Sequence, residues 1–383
     1  IRQRYSEVLR VVRARLEKVV AEPEPAPMVL GQASPEDQLG AVAAFRDRQA
    51  FLIQVDGILD ERGDPRDLSR RLTSLAEEVI VRATDIIRIE LGARSGSPDV
   101  PFGLFALGKF GAAALGYASD LELLLVHAGQ DPSPFFAELL ERLQGFFRGK
   151  QEGLFEVDLR LRPWGKNAAL ECSLETFSSY YGPRGPAHSL ERIALTRLRP
   201  IAGDPDFRRR VAELRDRLVY EEPWLDLDEL AETRSRQFRQ RQAGFRNAKY
   251  SPGGLVDLEY GVQVLQVRHG RELRSLRTPD LEAAIHELGR HDVIAPAEAD
   301  RLAQVYVFFR QLINALRMLR GVAEDLELPP NDGPEARHLA RRMGFHEPGW
   351  KAASEALEAE FSTHTALVRD FVRASVGAEM LPR

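Results

Sequence analysis

Two short apolar runs separated by a glycine-rich stretch constrain the fold of the middle of this chain. Residues 102–107 read FGLFAL and residues 121–126 read LELLLV, and each has the length of one buried strand. Between them, Gly108, Gly111 and Gly116 permit tight backbone turns and the close approach of a phosphate. The segment therefore predicts two strands joined by a glycine-rich loop.

Three acidic residues accompany these strands. Asp120 and Glu122 begin the second strand, and because residues two apart on a strand share a face, we expect both carboxylates to point the same way. Asp158 lies on a later strand predicted over residues 154–161. Carboxylates and substrate phosphates are ligands of Mg²⁺, and two bridged metal ions can stabilise the attacking and leaving oxygens of a displacement. The predicted metal site, for Mg²⁺ or Mn²⁺, is therefore Asp120, Glu122 and Asp158.

Cationic residues near these acids are candidates for phosphate binding. Alternation over residues 155–161 places Arg160 and Arg162 on the same face as Asp158, and arginine suits phosphates because its donors form a fixed fork. Lys109 and Lys249 each lie in a glycine-bearing segment and supply point charges for a phosphate. The alternative is that the charged residues of the strand form only its solvated face.

Seven segments, in order along the chain, resemble the glutamine synthetase adenylyltransferase family, whose units belong to the nucleotidyltransferase superfamily. The segments are LTSLAEEVI (72–80), LGKFG (107–111), SDLELLLV (119–126), VDLRLRPWGKNAAL (157–170), LERIALTRLRPIAGD (190–204), KYSPGGLVDLEYGVQVLQ (249–266) and YVFFRQLINALRM (306–318).

The resemblance implies an α+β fold: a nucleotidyltransferase-type mixed sheet flanked by helices and followed by an all-α bundle. It implies the transfer of AMP between ATP and a tyrosine of glutamine synthetase, with Asp120, Glu122 and Asp158 as the catalytic acids. It also implies a signalling protein as a further partner to consider. The residues implied to bind the nucleotide are Gly108, Lys109, Gly111, Ser119, Arg160, Arg162 and Lys249.

The chain departs from the family pattern at three positions. The second metal acid of the family is Asp, but here it is Glu122, whose extra methylene moves the carboxylate outward. Ala114 replaces an acid of the loop, and Leu190 replaces a tryptophan. Two alternatives therefore stay open: a nucleotide-binding module without catalysis, and AMP transfer to a different acceptor. The sequence does not give the direction of the reaction.

The chain is predicted to divide into a helical segment (1–99), a nucleotidyltransferase domain (100–204) and a helical bundle (205–383). One copy of each motif is present, whereas full-length members of the family carry two such units, so we expect a single unit of a longer protein. A linker is predicted over 21–27, and apolar periodicity predicts helices elsewhere. The helical ranges are 1–20, 35–58, 67–91, 134–147, 228–245, 260–267, 279–289, 296–319, 333–343 and 350–374.

Composition narrows the class of protein further. The net charge is −5, which gives no signature of nucleic-acid binding, and no apolar run is long enough to predict a membrane span. Cys172 is the only cysteine, so no intramolecular disulfide can form, and we expect a buried thiol in a cytoplasmic protein. Asp257 either caps the helix that follows it or, with Lys249, folds back onto the nucleotide site.

Overall fold

The computed structural model describes residues 33–59, 64–96, 98–148, 155–165, 168–222, 224–241, 244–346 and 349–382. The helix predicted over 1–20, the linker over 21–27 and Lys166 of the RPWGKN segment lie outside these ranges. Among the described residues, no helix is both long enough and apolar enough to cross a membrane.

Five strands form one mixed sheet. Their bounds are β1 Phe102–Ala106, β2 Leu121–His127, β3 Val157–Asp158, β4 Cys172–Ser173 and β5 Arg199–Gly203. β1 pairs antiparallel with both β2 and β5. β3 and β4 pair parallel with β2, β3 at its beginning and β4 at its end. The two strands predicted around the glycine-rich loop are therefore neighbours, as the apolar runs indicated.

The strand predicted over 154–161 is wrong in extent, because only Val157 and Asp158 pair. Phe155 has φ of +53°, outside the extended region, so the chain is not a strand before Glu156. After Asp158 the chain turns, since the amide of Arg160 donates to the Asp158 carboxylate at 2.8 Å. The two residues that do pair lie beside the beginning of β2, which brings Asp158 next to Glu122.

The helices largely follow the periodicity of the sequence. Their bounds are α1 Pro35–Leu59, α2 Pro65–Ser95, α3 Gly108–Gly111 (a single turn), α4 Pro134–Phe147, α5 Leu174–Tyr181, α6 Ser189–Ala194, α7 Pro205–Asp216, α8 Leu227–Gln240, α9 Leu255–His269, α10 Leu281–Arg290, α11 Pro296–Arg320, α12 Pro334–Arg342 and α13 Trp350–Ser375. Short 3₁₀ turns cover Leu195–Arg197, Arg274–Leu276 and Ala378–Met380, and a π turn covers Arg217–Glu221. The predicted helix over 134–147 has the observed bounds.

Each face of the sheet has its own apolar core. Leu121, Leu123 and Leu125 of β2 pack with α1, α2 and α4. Leu124 and Val126 point the other way and pack with α5 and α7. This alternation places Glu122 on the second face, on which the catalytic residues are predicted.

The bundle from α8 onward has a third core, and α11 runs through it. The predicted apolar stripe of α11 is buried except at its last position, Leu319, which is 37% exposed. Ile193 of α6 joins the same core, so the bundle packs directly on the sheet region. The division at residues 99 and 204 stays a prediction.

Candidate active site

The glycine-rich turn and Glu122 fit together closely. The single turn of α3 begins at Gly108, and the amide of Lys109 donates to Glu122 Oε2 at 3.0 Å. Gly108 has φ of +53°, and a Cβ at this position would overlap the Glu122 carboxylate. The position therefore requires glycine for its backbone conformation and for its contact with the acid.

The rest of the loop is held by the protein itself. Gly111 lies against the carbonyl of Arg197, where a Cβ would not fit, so its close approach is to protein backbone. Ser119 is buried, and its Oγ accepts from the amide of Gly116 at 3.0 Å. These contacts shape the loop that leads to Asp120.

The acids take up different positions around β2. Asp120 is exposed and directly precedes the strand. Glu122 pairs in register with Asp158 of β3. Asp120 and Asp158 line a cleft of about 420 Å³ together with Gln144. Glu122 is turned toward Lys109, and burial raises the pKa of its carboxyl although the nearby Lys109 charge opposes the shift.

These three carboxylates fit a divalent cation in chemistry and in strand position. The Asp158 carboxylate accepts from the Arg160 guanidinium at 2.5 to 2.9 Å, so a cation already faces it. Among the described residues, however, the one group of three metal-ligating side chains whose atoms lie within 4.8 Å of one another lies elsewhere. The carboxylates of Asp120, Glu122 and Asp158 therefore do not converge within that distance in this structure.

Arg162 differs from Arg160 in its surroundings. Arg160 is exposed, whereas Arg162 is buried and donates to the carbonyls of Leu159 and Ala168. It borders the same cleft. Because the strand ends at Asp158, the predicted alternation does not extend to Arg162, and the alternative of a solvated position does not hold for this residue.

Several cations gather behind the glycine-rich turn. Burial lowers the pKa of Lys109 well below its usual value, and the charges of Lys249, Arg317 and Arg310 add to the effect. Lys249 also lies over the ring of Tyr250, 4.9 Å from its centre. This group of like charges favours an anion, which would lower their mutual repulsion.

Sequence reasoning missed the buried partner of these cations. Glu259 lies 3.2 Å from Arg197 in an ion pair that is almost enclosed. Burial alone would raise the pKa of Glu259, but the surrounding cations outweigh it and lower the pKa. The signal was its place in a DLEY segment, two residues after Asp257, on the otherwise apolar first half of α9.

Asp257 itself has a structural role. It is buried, pairs with Arg234 at 2.6 Å, and accepts from the amide of Gly253 at 2.6 Å. It thus fixes the turn before α9. The N-cap position is Gly254, no side chain caps the helix, and Asp257 lies inside its first turn, so the predicted capping role is wrong. Of the two residues considered for a loop folding back onto the site, only Lys249 lies close enough to affect Lys109.

The group of three ligand-type residues lies at the other end of β2 and consists of His127, Asp131 and Glu171. His127 Nδ1 accepts from the amide of Gly129 at 3.1 Å, so the neutral ring carries its proton on Nε2. That N–H faces Asp131 at 3.4 Å and Glu171 at 3.5 Å. A protonated nitrogen has no lone pair for a metal, so we interpret this group as a structural polar cluster in which His127 and Glu171 are buried and Asp131 is exposed.

Comparison with known proteins locates two family matches. The sequence model of the glutamate-ammonia ligase adenylyltransferase family matches residues 6–215. The model described as GlnD PII-uridylyltransferase matches residues 227–375, which span α8 to α13. The first match contains the sheet and every candidate acid, and the second contains the bundle.

Curated relatives carry one shared name, bifunctional glutamine synthetase adenylyltransferase/adenylyl-removing enzyme. The protein from Bifidobacterium longum is 30% identical over 87% of this chain and 34% of its own length. The protein from Hahella chejuensis is 29% identical over 86% of this chain and 36% of its own. The protein from Caulobacter vibrioides is 31% identical over 77% and 32%. The chain thus spans about a third of the length of the curated relatives it matches.

Proposed function

We propose a reaction from one premise: this chain belongs to the glutamate-ammonia ligase adenylyltransferase family. The reaction is the transfer of AMP between ATP and a tyrosine hydroxyl of a protein acceptor. One observation carries the proposal: Glu122 and Asp158 are paired neighbours on β2 and β3, directly beside the Gly108 turn. A glycine-rich turn and adjacent carboxylates are what a metal-dependent nucleotidyl transfer requires.

Each predicted residue has a role in this proposal. Asp120, Glu122 and Asp158 would hold Mg²⁺ or Mn²⁺, which when bound supplies neutralising charge to the phosphates. Lys109 and Lys249 would face the phosphates that leave. Residues with a role in shaping or lining the nucleotide site are Gly108, Gly111, Ser119, Arg160 and Arg162.

The proposed chemistry is a single displacement at phosphorus. The tyrosine oxygen bonds to the α-phosphorus of ATP, the bond from that phosphorus to the bridging oxygen breaks, and pyrophosphate leaves. The hydroxyl proton passes to solvent or to a nearby carboxylate. In the opposite direction, an oxygen of inorganic phosphate attacks the phosphorus of AMP-tyrosine, ADP forms, and the tyrosine oxygen regains a proton. Lys109 and Lys249 would stabilise phosphate charge in both directions.

The acceptor we propose is glutamine synthetase, which the names of the relatives specify. The sheet region would carry the chemistry and the bundle would contact the acceptor. We expect this unit to run one of the two directions, because it holds one group of catalytic acids. We propose a signalling protein as a further partner of the bundle, whose sequence matches a family that acts on such a protein by its name.

Two parallel assays test the proposal. In the first, the chain, ATP, Mg²⁺ and the glutamine synthetase of its own source are incubated, and mass spectrometry detects AMP on tyrosine. In the second, adenylylated glutamine synthetase and phosphate are supplied, and ADP is measured. The control is Asp120→Asn, which keeps the size of the side chain but removes one charge. We expect activity of the parent in one assay and none of the control.

Other outcomes lead to the alternatives. ATP binding without either product would favour a nucleotide-binding module that does not catalyse. Labelled AMP on other proteins, with none on glutamine synthetase, would favour a different acceptor. Equal activity of the parent and Asp120→Asn would overturn the assignment of the site.

A further inference from the structure

Three polar side chains on one face of α11 contact the glycine-rich loop. Arg310, Asn314 and Arg317 are spaced by four and three residues, so they lie in one row along the helix. We call these three side chains the loop-facing row. They are buried, although the helix otherwise buries apolar side chains in the bundle core.

The row contacts consecutive parts of the loop. The Arg310 guanidinium donates to the carbonyl of Ala114. Asn314 lies so close to Gly116 that a Cβ on the glycine would be 2.5 Å from its Oδ1. The Arg317 guanidinium donates to the carbonyl of Tyr117 at 2.5 Å. Three successive stretches of the loop are therefore held by three successive positions of one helix.

The loop needs such support because its backbone is strained. Ala113 and Ala118 have φ of +52° and +49°, a left-handed conformation that costs a residue other than glycine roughly 1–2 kcal/mol. Such conformations persist where the surroundings fix them, and they cluster at functional sites. The contacts of the loop-facing row lie between these two alanines, and Asp120 follows two residues after the second.

Both ends of the row are themselves anchored. Arg310 also donates to Ser69 Oγ of α2 at 3.1 Å, and Arg317 Nε donates to the carbonyl of Ala323 at 3.2 Å. The row therefore links the loop to α2 on one side and to the end of α11 on the other. A displacement of α11 within the bundle would move the loop with it.

We propose that the loop-facing row is a positioning device through which the helical bundle sets the place of Asp120, and with it the affinity of the site for its divalent cation. Arg310, Asn314 and Arg317 are positioning residues, since they act through the loop. The inference rests on the proposed function in one respect, that Asp120 is a metal ligand.

The charges around Arg317 agree with this role. Burial and the neighbouring Arg310 lower the pKa of Arg317, whereas Asp120 acts in the opposite direction. Asp120 is therefore within electrostatic reach of the row. No other acid has a stronger influence on Arg317 among the described residues.

The test measures Mn²⁺ binding by electron paramagnetic resonance in the presence of a non-hydrolysable ATP analogue, so it does not depend on turnover. Arg317→Met keeps the length of the side chain but removes its donors, leaving the carbonyls of Tyr117 and Ala323 without this partner. We expect the Mn²⁺ dissociation constant to rise about tenfold, the usual scale when a group that orients a metal ligand is lost. Arg317→Lys, which can still donate to one carbonyl, should recover part of the affinity.

Arg192→Met is the matched control. Arg192 is 7% exposed and Arg317 is 8% exposed, and each donates to two backbone carbonyls. The carbonyls that Arg192 reaches belong to Ala187 and Gly185, on a different loop. We expect this control to lose stability in urea unfolding while its Mn²⁺ affinity stays within about twofold of the parent, since its loop carries no metal ligand.

Asn314→Ala is a second test that is milder for the fold. It relieves the contact with Gly116 and should raise the Mn²⁺ dissociation constant about threefold, because it leaves both arginines in place. Equal Mn²⁺ affinities for the parent, Arg317→Met and Asn314→Ala would overturn the inference and leave the proposed function intact. Failure of the parent to bind Mn²⁺ with the analogue would instead overturn the metal site and the proposed function together.

Discussion

The two ends of β2 each carry a group of carboxylates, about 20 Å apart on a seven-residue strand, and the protein surrounds them differently. At the far end, Asp131 accepts from the amide and hydroxyl of Ser173 at 2.6 and 2.7 Å and from the hydroxyl of Thr176. At the near end, Asp120 is exposed, and Asp158 accepts from both the amide and the guanidinium of Arg160, whose side chain is 59% exposed.

This difference in surroundings indicates a structural role for the acids at the far end of β2 and a binding role for those at the near end. Fixed donors of Ser173 and Thr176 hold Asp131, so a ligand of that carboxylate would have to displace them at a cost. At the near end, an exposed acid and several cations lie on either side of a strained loop, and the missing neutralisation can come from a bound metal nucleotide. Both ends carry aspartate and glutamate side chains, and the two groups differ in the residues that they contact.

The sharpest way to test this comparison is the same substitution at both ends. Asp120→Asn should lower AMP transfer by about 100-fold or more, because metal-mediated stabilisation is worth several kcal/mol and each 1.36 kcal/mol is a factor of ten. Its free energy of unfolding should change by less than about 0.5 kcal/mol, as for other exposed positions. Initial rates and urea unfolding measure the two quantities.

Asp131→Asn should show the opposite pattern. An amide nitrogen cannot accept a hydrogen bond, so at least one of the donors from Ser173 and Thr176 would lose its partner, at a cost of about 1–3 kcal/mol. Transfer per folded molecule should stay within about twofold of the parent, since far-end residues touch no substrate. If both variants lost activity and stability alike, the distinction between the two ends would not hold.

A glycine at each end gives a second, smaller contrast. Gly108→Ala forces a side chain into left-handed backbone and against the Glu122 carboxylate, so we expect a loss of about 2 kcal/mol and about tenfold weaker transfer. Gly129→Ala meets His127 Nδ1 and Val100 at 3.3 Å, which small shifts can relieve, so its cost should stay under about 1 kcal/mol. Unfolding curves and transfer rates compare the pair, and equal effects would show that the Gly108 turn is ordinary packing.

Local patterns predicted the elements of the near end. The apolar runs predicted β1 and β2, the glycines predicted the turn, and alternation predicted a strand around Asp158. The pairing of that strand beside Glu122 comes from the structure. Period-two alternation holds where both chains are extended, which is why the positions of Glu122 and Asp158 agree with it. It does not describe the position of Arg162, because the chain leaves the sheet at Asp158.

Long-range contacts could not be predicted in the same way. The ion pair of Arg197 with Glu259 joins residues 62 positions apart by number, and the loop-facing row contacts a loop about 200 residues earlier. Each row residue is polar and lies on the part of α11 whose neighbouring residues are mostly buried, so the sequence held a signal that something polar must face it. The identity of the partner depends on how the bundle docks on the sheet, which no local pattern contains.

The smallest expected effect concerns Arg160. Its hydrogen bonds to Asp158 resemble those that Asp131 accepts at the far end. Its guanidinium pairs with Asp158 in the structure, yet its side chain is 59% exposed. Exposed ion pairs contribute at most about 1 kcal/mol, so a divalent cation can replace this one readily. We therefore expect Arg160 to neutralise Asp158 before the metal binds and to turn to the phosphates afterwards.

Arg160→Gln should consequently act in two directions. With the competing cation removed, Mn²⁺ should bind up to about fivefold more tightly, the equivalent of that 1 kcal/mol. Transfer at saturating metal should nevertheless fall about fivefold, because one charge on the phosphates is lost. Tighter metal binding with slower transfer would establish Arg160 as an exchangeable counter-ion. Weaker metal binding would mean that Arg160 orients Asp158, as the donors of Ser173 and Thr176 orient Asp131. The acids at the two ends of β2 would then be held in the same way.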